Sequence, residues 1–319
     1  MNILITGGAG FIGSHLVKRL LSEKHNIVVV DNLDPYYSVK DKLENIKEFK
    51  GNKNFEFIKA DIADRNKIAK IFKTHKFDVV VHLAAKAGVR PSIEDPIGYF
   101  KTNVEGTLVL LEACKDIKLK NFIFISSSSV YGERSKVPFS ENDRAENPIS
   151  PYGLTKLSCE KLLKVYNNLY SIPVTALRLF TVYGPRQRPD LAIRKFIDKI
   201  YKGEVIEMYG NGSTMRDYTY VDDIVNGIVR CVYNPFDYEV INLGNSNPVK
   251  LKDMIHLLEE KLGRKAIVVD KPNQQGDVSR TYANIKKAKT LLDWQPNFTF
   301  EKGLSLMIEW YLSKYAKKD

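Results

Sequence analysis

Only three cysteines occur in the 319 residues, Cys114, Cys159 and Cys231. They are odd in number, widely spaced and without a CxxC pair, which argues against a disulfide framework and against a cysteine zinc site. The five histidines show no metal-ligand spacing, so no metal is expected. No apolar run is long enough to cross a bilayer. Met1 leads straight into a strand-like segment, with no room for a secretory leader. A soluble, cytoplasmic protein without a membrane partner is therefore expected. The chain also lacks a basic block, an internal repeat and a low-complexity linker. Its formal charge of +11 comes from lysines scattered among Glu and Asp. That pattern reads as a solvated surface rather than a nucleic-acid site, and its sign suits anionic small molecules. With 44% hydrophobic residues the chain can bury one large core or two modest ones.

What is present begins at the first residue. Asn2-Ile3-Leu4-Ile5-Thr6 is an apolar run of strand length, followed at once by Gly7, Gly8, Gly10 and Gly13. A helical pattern then opens with Phe11, Ile12, Leu16, Leu20 and Leu21. A tight strand-to-helix turn points unpaired backbone N–H groups outward, with the positive end of the helix dipole behind them. Glycines there let the chain turn and let a pyrophosphate approach the backbone. Asp31 closes the next apolar run, Asn26 to Val30, where a ribose-binding carboxylate belongs. No Arg or Lys adjoins Asp31 in sequence to take a 2′-phosphate, so NAD is expected rather than NADP.

Strands and helices alternate through the first half. Strands are expected over 54–58, 77–83, 121–125 and 172–177, and helices over 64–73, 95–115 and 152–170. Such alternation predicts an α/β fold built on a doubly wound parallel (Rossmann) sheet, with ligands at the carboxyl ends of its strands. After Thr181 the alternation breaks at Tyr183-Gly184-Pro185, and helices are expected at 193–202, 220–232 and 251–262. This division places a Rossmann domain at 1–180 and a smaller α/β substrate-binding domain at 181–319, with segments near 218–245 returning to the first sheet.

Ser126, Ser127, Ser128 and Ser129 follow the fifth strand, and Tyr152-Gly153-Leu154-Thr155-Lys156 opens a helix. Residues at i and i+4 share a helix face, so the Tyr152 hydroxyl and the Lys156 ammonium are expected in one site. A nearby cation favours the phenolate, which makes the tyrosine a usable general base. A positively charged nicotinamide would push the same way. A serine hydroxyl at the strand end can hydrogen-bond the substrate oxygen, with Ser127, Ser128 and Ser129 as candidates.

These residues together resemble the extended short-chain dehydrogenases/reductases, and among them the nucleotide-sugar 4-epimerases. The resemblance runs from Gly7-Gly8-Ala9-Gly10-Phe11-Ile12-Gly13 through His82-Leu83-Ala84-Ala85 and Tyr152 to Lys156, then Arg216-Asp217-Tyr218 and Gly276-Asp277-Val278. It implies tightly held NAD, a UDP-sugar in the second domain and a homodimer built on two long helices. By motif it implies that Gly7, Gly10, Phe11, Ile12, Gly13, Asp31, Asn32 and Asp61 line the cofactor. Ile62, Leu83, Ala84, Ala85, Asn103, Ser126, Tyr152 and Lys156 complete that lining. Arg216 and Asp277 would hold the diphosphate and the uridine ribose.

Related enzymes share the oxidation of the sugar at C4 and diverge afterwards. Similar 4,6-dehydratases carry an Asp-Glu pair before Val-Tyr-Gly, and similar decarboxylases carry a Glu; here Ser128 and Ser129 stand there. Hydroxyls cannot do a carboxylate's work in elimination, which leaves epimerisation. Thr181, where UDP-glucose 4-epimerases usually read Asn, followed by Arg186-Gln187-Arg188-Pro189-Asp190, resembles the UDP-glucuronate 4-epimerases. The Arg188 fork matches a sugar carboxylate bidentately; alternatively it pairs with Asp190 or with the diphosphate. Gln274 and Gln275 stand where the family has a second arginine, and Arg280 is the expected substitute. A UDP-glucose or N-acetylhexosamine epimerase, and a catalytically inactive NAD-binding regulatory protein, remain the alternatives.

Overall fold

The computed structural model describes residues 1–134, 136–272 and 278–316. The first half runs β1 (Asn2–Thr6), α1 (Phe11–Ser22), β2 (Asn26–Asp31), α2 (Val39–Lys47), β3 (Phe55–Lys59), α3 (Arg65–Thr74) and β4 (Val79–His82). It continues with α4 (Val89–Glu94), α5 (Pro96–Tyr99), a π-helical run (Phe100–Glu105), α6 (Gly106–Cys114), β5 (Asn121–Ser127), α7 (Pro151–Tyr170) and β6 (Val174–Leu179). Beyond it lie β7 (Thr181–Tyr183), α8 (Ala192–Lys202), β8 (Val205–Tyr209), β9 (Met215–Arg216), β10 (Tyr218–Tyr220), α9 (Val221–Tyr233) and β11 (Tyr238–Leu243). The last elements are β12 (Val249–Lys250), α10 (Leu251–Leu262), β13 (Ile267–Lys271), α11 (Lys286–Leu292) and α12 (Phe300–Tyr315).

Seven strands form one parallel sheet in the order β11-β6-β5-β4-β1-β2-β3. Each central strand is apolar on both faces, because helices cover both. Ile3, Ile5, Val79, Val81, Ile123 and Ile125 enter one core. Leu4, Val80, Phe122 and Phe124, one residue out of phase, enter the other. The first core is continuous with the C-terminal part: it also holds Ile224 and Ile228 of α9 and Met307 of α12. β11 returns to the sheet at the edge beside β6. No helix among the described residues is long and apolar enough to cross a membrane.

The helix expected over 95–115 is three pieces, α5, the π-helical run and α6. Periodicity averages over such a change of winding, since the apolar positions still recur every three or four residues. Asn103 sits inside the widened turn, and π-bulges of this kind concentrate at functional sites.

Candidate active site

The carboxyl ends of β1, β2, β4, β5 and β6 open on a cavity of about 630 Å³. At one end stands the glycine turn. Gly7 adopts φ +73°, and a Cβ there would sit 2.7 Å from the Ala84 backbone nitrogen. A Cβ at Gly13 would collide with the Gly7 carbonyl. At Gly10 a Cβ would meet only the Gly7 oxygen at 3.2 Å and the Tyr37 hydroxyl at 3.9 Å, on the cavity side. α1 starts with no side-chain cap and no acidic residue in its first turn. Its first N–H groups therefore remain available to an anion. Asp31 accepts from Ala9 N at 3.1 Å and Leu33 N at 2.8 Å, which ties the turn to β2. Burial raises its pKa, against the pull of those donors and of Lys42. A bare backbone turn, an uncapped helix and a carboxylate at the second strand end fit a dinucleotide.

Most of the motif-derived cofactor residues border this cavity: Gly7, Gly10, Phe11, Ile12, Gly13, Asp31, Asn32, Ile62, Leu83, Ala84, Ala85, Ser126, Tyr152 and Lys156. Asp61 and Asn103 are not among the residues that border it. Asp61 accepts from Asn32 Nδ2 at 2.9 Å and so holds a lining residue. Asn103 is buried and brackets Lys86, accepting from its N–H at 2.8 Å and donating to its carbonyl at 3.0 Å. It also donates to Thr155 Oγ1 at 3.0 Å, joining the loop after β4 to α7.

At the other end Ser127, Ser128, Ser129, Tyr152, Lys156, Thr181 and Arg188 border the same space. Ser150 caps α7 by accepting from Gly153 N at 3.1 Å, and Pro151 occupies the first turn, so Tyr152 enters the cavity from a fixed helix start. The Tyr152 ring meets Tyr99 edge-on at 6.2 Å. Burial raises the Tyr152 pKa; a hydrogen bond with Ser127, then the charge of Arg188, draws it down. The Lys156 ammonium is engaged beneath that ring. Its Nζ donates to the Ile125 carbonyl at 2.7 Å and lies 4.8 Å from the Phe124 ring centre. Burial lowers its pKa to about 8, opposed by Cys159 and Glu160. The i, i+4 relation puts both residues on one face, but the Lys156 chain is long enough to find a carbonyl beneath that face.

Arg188 is paired with Asp190, Nε to Oδ1 at 3.0 Å and Nη2 to Oδ2 at 2.6 Å. It also donates to the Ala87 carbonyl at 3.1 Å and stacks 5.0 Å over Tyr36. Arg216 donates to the Met215 carbonyl at 3.0 Å, and Arg280 bridges backbone to backbone with Met215. Neither is among the residues that border the cavity. Asp277, with Gln274 and Gln275, lies outside the described residues. Sequence reasoning missed Tyr36, Tyr37, Lys42 and Tyr99 as wall residues. Two consecutive tyrosines in the polar loop just after Asp31 were a usable signal, since that loop lies at a strand's carboxyl end.

Residues 4–307 match the family model described as GDP-mannose 4,6 dehydratase. The chain belongs to this family of extended short-chain dehydrogenases/reductases. It is 41% identical to a UDP-glucuronate 4-epimerase of Thermodesulfobacterium geofontis, over 96% of this chain and 95% of that protein. A crystal structure of UDP-glucuronic acid 4-epimerase from Bacillus cereus, in complex with UDP-glucuronic acid and NAD, superposes with a TM-score of 0.94 at 40% identity. That match covers 99% of this chain and 100% of the other. A UDP-glucose 4-epimerase of Thermotoga maritima with UDP-glucose follows the same fold, with a TM-score of 0.90 at 37% identity over 98% and 99% of the two chains.

Proposed function

We propose that the protein is an NAD-dependent 4-epimerase that interconverts UDP-glucuronate and UDP-galacturonate. The observation that carries the reading is the convergence of Tyr152, Ser127, Thr181 and Arg188 on the cavity that the glycine turn also borders. Serines at 128 and 129 remove the carboxylates that elimination would need. The named relatives support the same substrate class.

When bound, NAD supplies the acceptor and then the donor of the C4 hydride. Tyr152 takes the proton of the C4 hydroxyl and later returns it, with the Ser127 hydroxyl hydrogen-bonded to the same oxygen. Lys156, on the same helical face, is the cation that stabilises the phenolate once its Ile125 bond is exchanged. Arg188 grips the sugar carboxylate while the 4-keto ring turns over to present its other face. Oxidation at C4 makes that sugar a β-keto acid, which loses CO₂ when the carboxylate bond stands perpendicular to the ketone plane. A bidentate guanidinium can hold the bond away from that alignment.

The proposal extends to site roles and assembly. Residues 1–180, with the returning strand β11, hold the cofactor, and the remainder holds the UDP-sugar with Arg216, Arg280 and Asp277. A homodimer is supported by exposed apolar side chains on α5, the π-helical run and α7, among them Ile97, Phe100, Leu154, Val165 and Leu169. A cytoplasmic location is supported by three buried, unpaired cysteines, as a reducing compartment leaves them.

The test is incubation with a panel of UDP-sugars, the products separated by chromatography and the absorbance of reduced cofactor followed. Conversion of UDP-glucuronate to UDP-galacturonate without accumulating NADH is expected. Preference for UDP-glucose, or NADH in proportion to substrate consumed, would overturn the reading. UDP-glucose is the second reading, favoured by the Arg188–Asp190 pair, because an arginine already neutralised offers less charge to a substrate carboxylate.

A further inference from the structure

Behind Tyr152 and Lys156 lies a buried ion pair that the chemistry above leaves unused. Tyr152, Lys156 and Glu160 follow one another at four-residue spacing on α7, so all three face the same side. Glu160 is 3% exposed and Arg178 of β6 is 6% exposed. The Glu160 carboxylate accepts from Arg178 Nε at 3.0 Å and Nη2 at 2.7 Å, and from Ser126 Oγ at 2.5 Å. Ser126 and Arg178 are register partners on adjacent strands. Arg178 in turn lies 4.7 Å over the Tyr131 ring. The carboxylate thus joins α7 to β5 and β6 one residue before Ser127.

A buried ion pair contributes little net stability, because desolvating both ions offsets their attraction, and apolar replacement is often neutral. The location of this one favours a different role. Around the Lys156 ammonium stand the Ile125 carbonyl and the Phe124 ring from β5, His82 from β4, and Cys159 and Glu160 from α7. Burial lowers the His82 pKa to about 3, so it is neutral, and burial raises the Cys159 thiol, so it keeps its proton. Glu160 is then the anionic side chain next along the Lys156 face of α7, its charge shared with Arg178 of β6.

We propose that Glu160 is a positioning residue for the reaction: it fixes the end of β5 that carries Ser127 and keeps the buried Lys156 ammonium charged. Burial lowers the Lys156 pKa to about 8, and Cys159, then the Glu160 charge, oppose that fall. Losing the charge while keeping the shape should let Lys156 deprotonate at lower pH. Shortening the side chain while keeping the charge should loosen Ser126 and, with it, Ser127.

The inference rests on Tyr152 and Lys156 as the acid–base pair, and its test uses whichever UDP-sugar the wild type turns over, so an error in the sugar leaves it standing. Full-length Glu160→Gln, Glu160→Asp and Glu160→Gln/Arg178→Met are compared by pH profile, thermal melting and titration of Lys156 by NMR of isotope-labelled lysine. In Glu160→Gln the Lys156 midpoint and the alkaline limb of turnover are expected to move to lower pH. Turnover at about pH 8.5 should then fall roughly tenfold more than at about pH 6.5. Glu160→Asp should keep the limb and lose roughly tenfold at every pH. The double variant, no longer burying an unpaired arginine, should regain the melting temperature that Glu160→Gln loses. An unmoved Lys156 midpoint in Glu160→Gln, or undiminished turnover in Glu160→Asp, would show a structural ion pair only and overturn the proposal.

Discussion

Asp190 holds the Arg188 guanidinium by two of its nitrogens, at 3.0 Å from Nε and 2.6 Å from Nη2. Tyr36 completes the arrangement, its ring under Arg188 at 5.0 Å and its hydroxyl donating to Asp190 Oδ2 at 3.3 Å. The charge that a uronic acid needs is therefore present at the cavity wall and already engaged. A substrate carboxylate must share the guanidinium with Asp190 or displace it.

This makes Arg188 the residue on which the sugar preference turns. Arg188→Leu should raise KM for UDP-glucuronate roughly tenfold or more, the scale of a lost charge-assisted hydrogen bond. Weak activity on UDP-glucose should change little. Some intermediate should escape as CO₂ and the decarboxylated 4-keto-pentose. Chromatography of both sugars with CO₂ detection checks this. Wild-type behaviour on UDP-glucuronate would assign Arg188 to its pair with Asp190 alone.

Tyr152→Phe keeps the ring against Tyr99 and removes the proton-transfer group. NAD and UDP-sugar should still bind, while turnover falls by roughly two or more orders of magnitude. Ser127→Ala should cost less, since the sugar oxygen can still meet Tyr152 directly. Calorimetric binding beside steady-state rates separates the two effects, and near-normal turnover in Tyr152→Phe would remove the mechanism.

Lys156 gives activity and stability opposite responses to alkali. Burial lowers its pKa from 10.5 to about 8, so between those values the unfolded chain binds the extra proton. Stability from this group therefore rises with pH through that window, while below about 8 its buried charge is a cost. Turnover should fall over the same window as the ammonium is lost. A pH–rate profile paired with denaturation at matched pH is the check; parallel curves would contradict the assignment.

Asp217 tests the join between β9, β10 and the end of β11. It is fully buried and accepts from Asn245 N at 2.7 Å, Ser246 N at 3.1 Å and Ala283 N at 2.8 Å. Asp217→Ala would leave one buried and two half-buried donors unpaired and should destabilise by about 2 kcal/mol or more. Asp217→Asn, which keeps an acceptor oxygen, should lose less. Urea unfolding midpoints measure both; equal losses would mean that shape rather than hydrogen bonding matters there.

Much of this was legible before the fold was known. The glycine turn could be read because tight turns constrain residue type locally: Gly7 adopts a left-handed φ, and a Cβ on Gly13 has no room. Doubly buried strands such as β4 and β5 show as unbroken apolar runs, since both faces meet helices. The helix carrying Tyr152 was set by its own cap and proline. For Asp61 and Asn103 the motif marks a residue as needed without saying whether it touches the ligand or holds what does.

By itself the sequence determined the glycine-rich strand–turn–helix, the parallel sheet of the first half, and a Tyr152–Lys156 pair on one helix face. Each depends on residues close together along the chain, where period and turn chemistry act directly. The tertiary structure alone decided where the long side chains found partners. Lys156 turned to the carbonyl of Ile125, Glu160 closed on Arg178 and Ser126, and Arg188 was shared among Asp190, Ala87 and Tyr36. Apart from Arg188 and Asp190, two residues apart, those contacts join segments from 18 to more than 150 residues apart, as Glu160 to Arg178 and Tyr36 to Asp190 show. A charged group taken out of water goes to whichever distant neighbour the fold brings within hydrogen-bond reach, and no local pattern encodes that neighbour.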